Sequence, residues 1–327
     1  MGLFTRATKF LGWLAALSLV TACSTTGERA AETTAAAPMD SLVTAEWLAA
    51  ELDEPDLVVL DCTVLIEQTE DGHFGPTNGR PSYEAGHIPT AGFADLMGDL
   101  SDPDSPLEFA LPTPEAFAAA MGELGVGDDS RVVLYDANRS VWAARVWWML
   151  RWIGFDRAAV LDGGLEAWTA AGRPLSTAPA TRSARVLTPR VRPELIADRD
   201  EVFAALSDED VVLIDAMPAP HYGGEMTMYG RPGHIPGAEN VPVSTMVDEA
   251  GRYRSPDELA ALFEADRDER VITYCGGGIA ASASAFILTR LGYPDVAVYD
   301  ASLQEWAADP ANPLEVVDVF EEFDREE

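Results

Sequence analysis

Short apolar runs alternate with longer amphipathic stretches along most of the chain, and this alternation predicts strands followed by helices. Leu57 to Leu60, Val132 to Tyr135 and Val271 to Tyr274 are apolar, largely β-branched runs of strand length. Helical spacing marks Ala45 to Leu52, a segment opened by Thr113-Pro114-Glu115, and the Ala-rich stretch Ala280 to Leu291 with Phe286, Ile287, Leu288 and Leu291. Thr113 and Ser255 read as helix caps, each followed by proline at the first helical position and by acidic residues in the first turn. Strands alternating with helices of this length predict an α/β fold with a mainly parallel sheet covered by helices on both faces. Active groups in such sheets lie at the carboxyl ends of strands.

The pattern occurs twice. "VVLDCT" (58–63), "AGHIPTAGFADL" (85–96), "RVVLYDANRSVWAARVWWMLRWIGF" (131–155) and "AAVLDGGLEAW" (158–168) have counterparts in the second half. These are "VVLIDAM" (211–217), "RPGHIPGAENVPVS" (231–244), "RVITYCGGGIAASASAFILTRLGY" (270–293) and "VAVYDASLQEW" (296–306), in the same order and at similar spacing. Two homologous domains are expected, at 41–178 and 194–318, with a linker at 179–193 and an acidic tail at 319–327.

Composition narrows the function. The 327 residues carry a formal net charge of −33 and a single lysine, Lys9, which argues against a nucleic-acid partner and for a solubilising acidic surface. Arg6 and Lys9 precede the apolar run Phe10 to Val20, which is too short for an ordinary membrane span, and Val20-Thr21-Ala22-Cys23 follows. This order resembles a bacterial lipoprotein signal. Residues 1–22 are then the signal peptide, Cys23 carries lipid, and 23–40 form a flexible tether, making the protein an exported, periplasmic or cell-surface lipoprotein whose only membrane contact is its anchor. A plain secretory cut after Ala22 is the alternative.

The chemistry gathers at Cys275, at a strand-to-helix turn followed by three glycines. A loop of this kind aims backbone N–H groups at the sulfur, and the following helix adds the positive end of its dipole; both favour a thiolate. Gly276, Gly277 and Gly278 let the backbone approach closely and take positive φ. Cys62 is the other cysteine of the mature chain; it either forms a reversible disulfide with Cys275 or points into the core. His87 and His234 precede Ile-Pro in matched turns, and this symmetric placement favours a structural role in turn formation for both. Neither the histidines nor the cysteines have metal-binding spacing, and no metal or cofactor is expected. The tryptophans of 142–152, at helical spacing, predict core or interdomain packing.

The paired Gly-His-Ile-Pro turns (86–89 and 233–236), the "VWWMLRWIGF" helix, the "LDGGLEAW" block and the cysteine loop resemble the tandem rhodanese-type sulfurtransferases, the thiosulfate and 3-mercaptopyruvate sulfurtransferase family. The resemblance implies two tandem rhodanese-like domains, the first catalytically silent, with Asp136 at the position that matches Cys275. It implies a Cys275 persulfide, and Asp61 and His87 as supporting residues. Cys275-Gly276-Gly277-Gly278-Ile279-Ala280 is closer to the mercaptopyruvate-type loop than to the thiosulfate type, although Gly277 and Ala280 stand where those relatives have serine and threonine. The resemblance also implies a small anionic sulfur donor, held by loop residues 276 to 280, and a thiol, thioredoxin-like protein or cyanide as acceptor. Met217 stands where relatives often carry a donor-binding arginine, which leaves Arg231 as the expected substitute. A rhodanese-type module that binds or carries sulfane sulfur without turnover is the competing reading. A phosphatase on a related loop fits less well, because "CGGGIAAS" contains no arginine.

Overall fold

A computed structural model describes residues 39–68 and 74–317; the expected signal peptide, Cys23, nearly all of the tether and the tail lie outside the described residues. The first half runs β1 (Leu42–Val43), α1 (Ala45–Glu51), β2 (Leu57–Asp61), β3 (Val64–Gln68), β4 (Phe74–Asn78), α2 (Arg80–Ala85), β5 (Gly92–Phe93), α3 (Pro114–Glu123), β6 (Arg131–Tyr135), α4 (Val141–Trp152), β7 (Ala158–Leu161) and α5 (Gly164–Ala170). The second half runs β8 (Ile196–Ala197), α6 (Arg199–Ala205), β9 (Val211–Asp215), α7 (Ala219–Tyr222), β10 (Glu239–Asn240), α8 (Pro256–Ala260), β11 (Arg270–Tyr274), α9 (Ile279–Leu291), β12 (Val296–Tyr299) and α10 (Ser302–Trp306).

Each half builds a parallel sheet of the same topology, β1-β7-β6-β2-β5 and β8-β12-β11-β9-β10. The central strands pair in the same register, Asp61 opposite Tyr135 and Asp215 opposite Tyr274. Strand alternation divides the first sheet between two apolar layers. Leu57 and Val59 face a cluster with Leu48 and Trp168, while Val58 and Leu60 face the larger core. Thr113 caps α3 by accepting from the N–H of Ala116, and Ser255 forms a full capping box with Glu258. The antiparallel hairpin β3–β4 is present in the first half and has no counterpart among the described residues of the second.

The Gly-His-Ile-Pro turns are pinned by the same network in both halves. Tyr135 accepts from the N–H of Ile88 at 3.1 Å and donates to Asp61, and Tyr274 accepts from Ile235 at 3.0 Å and donates to Asp215. His87 stacks on Tyr83 with Nδ1 2.7 Å from its carbonyl, and His234 stacks on Tyr222 with Nδ1 2.8 Å from that carbonyl.

The two halves share one core. Trp147 of α4 meets Phe286 of α9 edge-on at 4.8 Å, as the helical spacing of the tryptophans predicts, and apolar residues of both sheets join the same cluster. Arg145, fully buried on α4, pairs with Asp300 after β12 at 2.6 Å and donates to the Phe109 carbonyl at 2.8 Å. No helix among the described residues is long and apolar enough to cross a membrane.

Two outcomes follow from this packing. Asp300→Ala leaves the Arg145 guanidinium buried without its carboxylate and is expected to cost roughly 3–5 kcal/mol by urea denaturation, most of it recovered in Arg145→Met/Asp300→Leu. Burial pushes Asp215 up to about 6, against the opposing N–H of Met217 and hydroxyl of Tyr274. A folded-state value raised above the ordinary carboxylate value gives stability that is complete below about pH 4 and lost as pH rises through the folded value. Asp215→Asn is therefore expected to stabilise relative to the parent at pH 8, by up to about 3 kcal/mol, and to bring no such gain at pH 4, in paired urea titrations.

Candidate active site

β11 ends at Tyr274 and delivers Cys275, which is 3% exposed, into a loop held from below by α10. The N–H groups of Leu303 and Gln304 donate to the carbonyls of Cys275 and Gly276, at 3.1 and 2.9 Å. The Ser302 hydroxyl accepts from the N–H groups of Cys275 and Gly278 at 3.1 and 3.2 Å and donates to the Tyr299 carbonyl at 2.7 Å. Ser302 takes a left-handed φ of 50° to do so. With those groups occupied, the amides of Gly276, Gly277, Ile279 and Ala280 are left without a protein partner among the described residues, at the N-terminus of the 13-residue helix α9.

The three glycines answer to three different neighbours. A Cβ at 276 would collide with the Tyr229 hydroxyl, and one at 277 with the Gln304 amide; at 278 it would crowd Asp300 and Arg145. Gly278 also caps α9 with φ 79°.

The first half shows what such a loop holds. Asp136 stands where Cys275 does, after β6 and before α4. Its carboxylate accepts from the N–H groups of Asn138, Ser140 and Ala143 at 2.7, 2.9 and 2.8 Å. The Leu165 N–H donates to its carbonyl as Leu303 does to that of Cys275. A side-chain carboxyl whose oxygens accept from three backbone N–H groups thus fills the cradle of the first repeat, burial pushing it above the usual carboxylate range against those bonds, and the second repeat presents sulfur at the corresponding place.

Cys275 opens onto a cleft of about 630 Å³ between the two domains, to which Phe74, Phe109 and Trp142 contribute from one side and Met217, Met228 and Tyr229 from the other. Gly276, Gly277, Ile279 and Ala280 line it with Cys275, whereas Gly278 lies behind them. Among the described residues lining the cleft, Glu108 is the sole charged side chain. Gln304 ties the first domain to the loop by accepting from the Glu108 N–H at 2.9 Å.

The structure does not bring the other expected residues to this cleft. Arg231 donates to the carbonyls of Trp306, Ala307, Asp309 and Asn312 at 2.7–3.3 Å, so its guanidinium braces the chain after α10 instead of clamping a donor. Asp61 and His87 are buried in the turn network, with His87 Nε2 2.9 Å from the Ala178 carbonyl. The same network recurs around Asp215 and His234, so its presence in both halves reflects turn building and not service to the single Cys275. Burial pushes Asp61 above the usual carboxylate range. Cys62 is free and fully buried in the core, its thiol pushed well up by burial, and it does not line the cleft. Among the described residues no cluster of three His, Cys, Asp or Glu side chains could hold a metal ion.

Sequence reasoning missed Arg145, Ser302, Gln304, Glu108 and Tyr229. One signal was present for the first: a lone arginine inside "VWAARVWWML" implies a buried partner. The others come from loops without periodicity.

Similarity to known proteins agrees with this geometry. The rhodanese-like domain model matches residues 44–171 and 198–309. A probable 3-mercaptopyruvate sulfurtransferase of Pseudomonas aeruginosa is 36% identical over 282 residues, covering 84% of this chain and 97% of that protein. The 3-mercaptopyruvate sulfurtransferase of Escherichia coli K12 is 36% identical over 281 residues, covering 84% and 98%. The crystal structure of SseA from Escherichia coli superposes with a TM-score of 0.73 at 35% identity, over 81% of this chain and 99% of that one. Two parallel sheets of one topology, a cysteine loop on the second and an occupied cradle on the first accompany that likeness: the chain belongs to the family of tandem rhodanese-like sulfurtransferases.

Proposed function

We propose that Cys275 carries sulfur as a persulfide between a small donor and a thiol acceptor. The observation that supports this most directly is the cleft-lining Cys275 in a loop whose counterpart in the first domain holds the oxygens of a side-chain carboxyl on three backbone N–H groups. The thiolate attacks the donor's sulfur, and a new S–S bond forms at Cys275. With thiosulfate the donor's S–S bond breaks and sulfite leaves with the bonding pair. With 3-mercaptopyruvate the C–S bond breaks, and pyruvate leaves after its carbon takes up a proton. An acceptor thiolate then attacks the outer sulfur, the bond to Cys275 breaks, and the thiolate is restored. The relatives named as 3-mercaptopyruvate sulfurtransferases favour that donor. The free amides of the loop and the N-terminus of α9 supply the positive end that holds a donor anion in place of an arginine.

Intact mass of the protein from residue 24 onward, after exposure to each donor under non-reducing conditions, is expected to rise by one sulfur and to stay unchanged in Cys275→Ser. No gain from either donor would favour a binding module that lacks turnover.

Export as a lipoprotein is also proposed, on the order basic residues, apolar run and Val20-Thr21-Ala22-Cys23. Thioredoxin-like proteins and other thiols of the exported compartment are then the acceptors, with membrane contact through the anchor alone. Fatty-acid labelling of the full chain in a bacterial host is expected to mark the parent and to be lost in Cys23→Ala; equal labelling of both would overturn it.

A further inference from the structure

Tyr229 lies in the segment between α7 and β10 and lines the cleft with Cys275. Its hydroxyl rests on Gly276, close enough that any Cβ there would displace it, and it has no hydrogen-bond partner among the described residues. The loop beneath has no hydroxyl of its own, with glycine at 277, and two of its N–H groups are already bound by Ser302. A sulfur added to Cys275 lies one bond beyond Sγ, at the cleft that Cys275 and Tyr229 both line, where the Tyr229 hydroxyl offers a donor beside the free amides of the loop.

We propose that Tyr229 is a catalytic residue that donates a hydrogen bond from its hydroxyl to the outer sulfur of the Cys275 persulfide. The assignment rests on the persulfide reading above. In the first half-reaction the Cys275–sulfur bond forms as the donor's bond to that sulfur breaks and its electron pair leaves with the rest of the donor; the transferred atom is left as the anionic end of the persulfide, with 3-mercaptopyruvate after its S–H proton has passed to the departing carbon, and the phenol keeps its own proton and bonds that charge. Burial, together with the neighbouring Cys275 and Glu108, pushes the Tyr229 phenol up and so keeps it a donor. Hydrogen bonds to charged groups are the strong ones, and this one strengthens as the charge develops.

Tyr229→Phe removes one oxygen and retains the ring. Rapid-quench intact mass at saturating donor is expected to show persulfide formation about tenfold slower or more, with the half-saturating donor concentration within about twofold of the parent and an unchanged melting temperature. Gly276→Ala, which pushes the hydroxyl off the loop without removing it, is expected to slow the step similarly. The double variant is then no slower than the slower single one, because both remove the same interaction. Parent-like rates in Tyr229→Phe overturn the assignment, as does slowing that comes with an equal loss of thermal stability or donor affinity. A parent protein that gains no sulfur overturns the persulfide reading itself.

Discussion

Arg145 is the constraint around which the site is arranged. A guanidinium fully buried on an apolar helix needs its charge and its N–H groups answered, and the answers come from different parts of the chain: Asp300 of the second domain and the carbonyl of Phe109 in the first. Asp300 also accepts from the N–H of Leu111 at 3.2 Å, so one ion pair fixes the segment that walls the cleft as well as the turn that leads into α10. That turn carries Ser302, and Ser302 holds the cysteine loop. A buried pair of this kind is weak evidence for net stability, but its geometry admits one arrangement of the two domains.

The duplication shows what the scaffold requires and what the chemistry adds. Strand order, the strand-end Asp and Tyr, and the His-Ile-Pro turn recur with nearly the same distances, so they belong to the fold. The differences cluster at one place. Asp136 gives way to Cys275, Gly164 to Ser302 with its left-handed φ retained, and Gly277 faces Gln304. In the first repeat the cradle is filled by a side chain of its own loop. In the second it is left for a sulfur that changes charge during turnover.

The parts legible in the sequence were those governed by local periodicity or by repetition. The strand Val271 to Tyr274, the Thr113 and Ser255 caps, the helix after Cys275 and the packing of the tryptophans all follow from spacing and cap chemistry. Repetition exposed the two domains and singled out Cys275 against Asp136. Repetition also favoured a turn-building role for His87 by matching it to His234, and both rings sit in the same kind of turn; the cleft role came from the family resemblance alone. Arg231 failed for another reason: a free guanidinium cannot be told from one that braces carbonyls unless the chain after α10 is placed beside it. Tyr229 and Gln304 act through contacts remote in sequence, which no window along the chain reports.

The shared core of α4 and α9 has a kinetic consequence. Domains that meet through a continuous apolar interface do not swing as a hinge, so the width of the cleft is set when the protein folds. Passage to the sulfur then falls to the rim, where Met228 is 58% exposed and Phe74 is 70% exposed. Thioether and phenyl rotamers exchange on the picosecond to nanosecond scale, far faster than domain motion. The cleft therefore has walls fixed by the shared core and a rim of exposed side chains, so reaching the sulfur requires side-chain rearrangement at the mouth and no closure of one domain on the other.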